Sequence, residues 1–127
     1  MHAEILAICQ AATVNAGMLN ILGTFDILSL AKFPGSAESF SIATTVRFGP
    51  EEAGPHSMRI DWVDPDGATV DQTGTTDFEI NFLTQQDIIH FIWHVMGKEF
   101  FAPSEYLLQL VVDDIPVASV PLVVKGM

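Results

Sequence analysis

Basic residues are scarce in this chain. Of its 127 residues, 5 are Lys or Arg and 16 are Asp or Glu, which leaves a formal charge of −11 at neutral pH. The cations Lys32, Arg47, Arg59, Lys98 and Lys125 are scattered. A nucleic-acid interface needs clustered cations to neutralise phosphates, and an anionic membrane surface needs the same, so neither is an expected partner. Cysteine is nearly absent as well: Cys9 stands alone, which excludes an internal disulfide. In the run Ile5-Leu6-Ala7-Ile8-Cys9 no neighbouring cation can hold a thiolate, and Cys9 reads as a small buried hydrophobe rather than a nucleophile. Charged residues amount to only 17%, while 49% are hydrophobic, which excludes acidic disorder and fits one globular domain spanning 1–127.

Residues 5–25 contain no charge at all, which is long enough to test as a membrane span or signal peptide. Gln10, Asn15 and Asn20 interrupt the stretch, Asn15-Ala16-Gly17 is a turn signal in its middle, and no Lys or Arg precedes it. Two short strands around a turn account for it, and the expected compartment is the cytoplasm.

What is abundant is period-two alternation. Leu19, Ile21, Phe25 and Ile27 alternate with Asn20, Thr24 and Asp26, and Gly23 at an inward position marks a bulge or a close backbone approach. Phe40, Ile42, Val46 and Phe48 face in against Ser41, Ala43, Thr45 and Arg47 facing out. Met58, Ile60 and Trp62 follow the same rule, and Asp64-Pro65-Asp66-Gly67 then turns the chain into a returning strand over 68–71. Phe78, Ile80 and Phe82 form another inward row. Tyr106, Leu108, Leu110 and Val112 form the next, Asp113-Asp114 turns, and 115–124 is a last strand in which Pro116 and Pro121 require an edge or a bulge.

Short strands between turn signals predict an all-β fold, an antiparallel β-sandwich of seven to nine strands without a disulfide. The chain resembles the immunoglobulin-like sandwiches in having a Trp before a hairpin, Trp62, and a Tyr opening a late strand, Tyr106. It has no cysteine pair, and Leu108 stands where the disulfide-bearing version has its second Cys. A broader resemblance rests on Ala3-Glu4-Ile5-Leu6-Ala7, on Leu19 through Phe25, on Val63-Asp64-Pro65-Asp66-Gly67 and on Tyr106 through Pro121-Leu122-Val123-Val124. These runs resemble a family of small bacterial domains of unknown function. Ser104-Glu105-Tyr106 departs from the Gly-x-Tyr expected there. The resemblance implies a sandwich in a bacterial cytosol and carries over no site residues.

The segment Thr84 to Gly97 reads two ways. As a helix it would start at Thr84 and set His90 and His94 side by side, able to share a metal ion. As a strand it would separate them by roughly 13 Å, too far for one ion. Its aromatic and β-branched content favours the strand, with a short helical turn near Thr84. Even in a helix, Phe91 occupies the place of the general-base Glu of the zinc protease motif. Asp61, Asp64, Asp66 and Asp71 are the densest acidic group, but they lack the distal Glu of a calcium loop, and turn chemistry explains them. No nucleophile elbow, phosphate-cradling glycine loop or dinucleotide fingerprint is present, so neither a catalytic residue nor a cofactor is expected.

What stands out is a strand apolar on both faces. A sandwich covers only one face of a strand. The other must lie under a loop such as Phe100-Phe101-Ala102-Pro103 or form an interface. Ile88, His90, Phe91, Ile92, Trp93, His94 and Met96 are the candidate interface residues of a non-catalytic module that self-associates or docks a protein partner. The rival expectation is a small-ligand or metal-binding protein, or an enzyme, with a pocket at one end of the sandwich that uses His56, His90 or His94.

Overall fold

The alternating segments fold as strands. A computed structural model describes residues 1–84 and 87–127. In chain order they form β1 (His2–Asn15), β2 (Met18–Thr24), β3 (Ile27–Leu30), β4 (Gly35–Ser36), β5 (Phe40–Arg47), β6 (Gly54–Val63), β7 (Thr69–Gln72), β8 (Thr76–Ile80), β9 (Ile88–Val95), β10 (Glu99–Phe100), β11 (Ser104–Val112) and β12 (Ile115–Gly126). Short 3-10 turns lie at Pro50–Glu52 and Phe82–Thr84. No helix among the described residues is long and apolar enough to cross a membrane.

The fold is all-β, as expected, but the strand number is higher than seven to nine. Two reasons are local. β4 and β10 are two-residue strands that pair only with each other. The alternation over 19–27, read as one strand, breaks at Phe25-Asp26, just after Gly23, whose φ of +67° suits glycine and where a Cβ would run into the Gln10 side chain. Beyond that point the chain leaves one sheet and enters the other.

The first sheet has the order β2-β1-β5-β9, all antiparallel. The second has the order β3-β12-β11-β6-β7, with β8 also paired to β6, and its β3–β12 pair is parallel. Ile8, Phe40, Ile42 and Val46 of the first sheet meet Met58, Ile60, Trp62, Leu108, Leu110, Leu122 and Val124 of the second in one buried cluster. Each such side chain contributes about 1.5–3 kcal/mol by leaving water. The rows read as inward-facing at 40–48, 58–62 and 108–112 are this core.

The outward row of β5 departs from expectation. Ser41, Ala43 and Thr45 are buried although they alternate with core residues. β5 is interior to its sheet, so side chains of β1 and β9 flank it on both sides. Turn chemistry holds where it was read: Asp64 Oδ1 accepts from the amides of Asp66 (3.0 Å) and Ala68 (2.9 Å), and Gly67 takes a φ of +86°. Pro116 sits at a register shift between β11 and β12, and Pro121 lies outside the part of β12 that pairs with β3.

Candidate interaction surface

The segment Ile88–Val95 is a strand, with the 3-10 turn at Phe82–Thr84 before it. Of the 84–97 reading, Gln85 and Gln86 lie outside the described residues. Among the described residues β9 pairs with β5 alone and is an edge, in unbroken register from Arg47↔Ile88 to Phe40↔Val95. No Pro, Lys or bulge guards it.

Its two faces differ. Trp93 is buried in the core cluster, and Ile89, Phe91 and Val95 pack against it, with Phe91 and Trp93 rings 4.8 Å apart. Phe91 and Trp93 therefore leave the candidate interface, because the sheet turns this side to the core. Ile88, His90, Ile92, His94 and Met96 form the other side. His90 Nδ1 shares a 2.8 Å hydrogen bond with the Thr45 hydroxyl, and His94 Nδ1 shares one of 3.2 Å with Ser41. Ile92 stands opposite Ala43 and joins a second apolar cluster with Cys9, Ala12, Leu19 and Ile21. The loop expected as a cover lies elsewhere: Phe100 packs on Trp62 and Tyr106, and Phe101 is exposed.

That second cluster draws in the charge-free segment. β1 pairs with β5 from His2 to Cys9 and then runs on to Asn15, paired with β2 only. Residues 10–22 thus form a hairpin arm beyond the shared sheet. Its tip, Ala16-Gly17, has φ of +53° and +74°, the geometry of a two-residue type I′ turn. Val14, Met18 and Leu22 are exposed, Leu22 at 67%. A shallow groove of about 310 Å³ between Gln10, Ala11 and Ala12 of the arm and Ser41, His94 and Met96 joins the arm to β9. The arm was missed as a site. The available signal was that even its outward positions lack charge.

The other candidates separate. Cys9 is buried, its thiol pushed up by burial, and it donates to the Ser41 carbonyl at 3.6 Å. His56 lies in the second sheet and packs with Phe48 and Phe78, away from His90 and His94. Asp61 pairs with Arg59 (2.9 Å), Asp64 holds its turn, and Asp71 pairs with Lys98. Among the described residues no three His, Cys, Asp or Glu are placed to hold a metal. A cleft of about 440 Å³ lies beside Trp62, where the Lys98 ammonium sits 4.6 Å over the indole.

Residues 4–125 match the model of a family of unknown function, DUF6941. The chain belongs to that family. None of the curated proteins matches this DUF6941 member. Two solved structures are similar to it in fold. One is the Pseudomonas fluorescens alkylpurine DNA glycosylase AlkC bound to DNA containing an abasic site analog, at 12% identity and a TM-score of 0.59, covering 97% of this chain and 30% of that one. The other is the beta-glucosidase from Listeria innocua in complex with isofagomine, at 11% identity and 0.58, covering 98% and 16%. The DUF6941 chain spans under a third of either protein, and the likeness is one of fold alone.

Proposed function

We propose that this chain is a non-catalytic interaction module that self-associates through the outer face of β9 and the adjoining hairpin arm. One observation carries the reading. Two segments that lack any charged residue, 5–25, the longest such stretch in the chain, and 88–97, meet on one surface of a chain with a net charge of −11. Two acidic copies repel wherever their carboxylates approach, so an uncharged, partly apolar face is where a second copy docks at least electrostatic cost. The β9 edge, which no second strand covers among the described residues, adds backbone donors and acceptors that a two-fold partner satisfies strand to strand. The same reading places the module in the cytoplasm, in keeping with a single, buried, unpaired cysteine.

Light scattering across a concentration series tests it. The wild-type chain gives a mass that rises with concentration toward a multiple of the monomer, and Val14→Glu, at an exposed arm position opposite Leu19 of the Ile92 cluster, holds it at monomer mass. A wild-type chain that is monomeric throughout removes self-association and leaves a different protein as the partner.

A further inference from the structure

Three segments distant in sequence meet around His56, two residues into β6. The ring is largely buried, 4.8 Å from Phe48, just after β5, and 5.7 Å from Phe78 of β8. Nδ1 donates to Asp113 Oδ2 at 2.6 Å, and Nε2 donates to the backbone carbonyl of Glu52 at 2.5 Å. A neutral imidazole has one donor nitrogen and one acceptor nitrogen. A carboxylate and a carbonyl offer no proton, so only the doubly protonated ring satisfies both contacts.

Asp113 is itself under constraint. It and Asp114 form the two-residue loop between β11 and β12 with φ of +52° and +64°, a left-handed conformation that Asp adopts more readily than most L-residues but still at some cost. Asp113 Oδ1 accepts from the Ser57 amide at 3.0 Å, its own amide donates to the Ser57 carbonyl at 2.9 Å, and Arg59 holds Asp114 at 2.8 Å.

We infer that His56 is a pH-sensitive clamp: as an imidazolium it ties the Pro50–Glu52 turn to the strained β11–β12 loop, and loss of its proton releases that loop. The charged groups around it are Asp113 and Glu52. The Glu52 carboxylate accepts from the Gly49 amide and the Met1 ammonium, while Arg59 is engaged by Asp61 and Asp114. Phe48 and Phe78 contribute rings, with the exposed Asp77 and Glu79 flanking Phe78 on β8. Burial works against charge on His56, but the Glu52 carbonyl and the Asp113 carboxylate outweigh it and raise its pKa. For Asp113, burial is likewise outweighed by the His56 hydrogen bond and the Ser57 amide, which lower its pKa. The clamp is therefore complete below the unfolded histidine value and is lost as pH rises through that of folded His56. At the acid end it is lost as pH falls through that of folded Asp113.

Long-range nitrogen–proton NMR of the full chain tests the clamp, with the chain unfolded in urea as reference. Both ring nitrogens of His56 carry protons at neutral pH, and the midpoint lies above that of the unfolded chain. Amide protection at Ser57 and Asp113 falls several-fold as pH passes the midpoint, while the buried Ile60 and Leu108 of the same sheet keep theirs. Asp113→Asn retains an oxygen for the Ser57 amide and brings the His56 midpoint down to that of the unfolded chain or below. If that variant does not fold, the wild-type titration decides alone. A His56 with one protonated nitrogen at neutral pH, or protection at Ser57 and Asp113 unchanged across its titration, overturns the inference.

Discussion

Ile92 stands opposite Ala43 across the β5–β9 register, and Ala43 is fully buried although its face points away from the main core. The isoleucine sits on the outer side of the sheet and is itself only partly buried, so the two respond differently to a charge. Ile92→Asp lowers stability by about 1–2 kcal/mol in urea unfolding and shifts light scattering toward monomer. Ala43→Asp places a carboxylate where no partner exists, and the chain loses its cooperative unfolding transition. Equal loss of folding in both variants would assign Ile92 to the core instead.

Ala16 opens the β1–β2 turn with φ of +53°, a region where Asn is tolerated better than Ala. Ala16→Asn should therefore raise stability, by about 0.5–1 kcal/mol. Chemical denaturation reads the gain, and an unchanged or lower midpoint would show that the tip is not held in this geometry.

Lys98 binds the Asp71 carboxylate and holds it below the usual aspartate range. Stability from this pair is present above the unfolded aspartate value and is lost as pH falls through the folded one. Asp71 is half exposed, so solvent screening limits the effect to below about 1 kcal/mol. Lys98→Met removes that part of the acid-side slope of thermal stability, and high salt weakens the slope in the wild type.

His90 and His94 share the outer face of β9, four strand positions apart and roughly 13 Å from one another. Each ring is already bonded to a hydroxyl on β5. Titration with zinc leaves their imidazole NMR signals in place at stoichiometric metal. Joint broadening of both signals would require a different pairing of β9.

Much of this molecule is local and therefore legible. Alternation identified the inward rows at 40–48, 58–62 and 108–112, and Asp64-Pro65-Asp66-Gly67 and Asp113-Asp114 are turns because their residue types suit the backbone required. The β9 strand was legible from its aromatic and β-branched content. Period two says that the two faces of a strand differ, but not which one is covered. That choice follows from the order of strands in the sheets, set by contacts between residues far apart in the chain. The tertiary structure alone turned Phe91 and Trp93 inward, buried Ser41, Ala43 and Thr45 between β1 and β9, and brought the arm of residues 10–22 against Ile92. It also joined Glu52, His56 and Asp113, which no spacing connects. The scarcity of cations was plain from composition, and the charge-free stretches 10–22 and 88–97 met on one surface only when the chain folded.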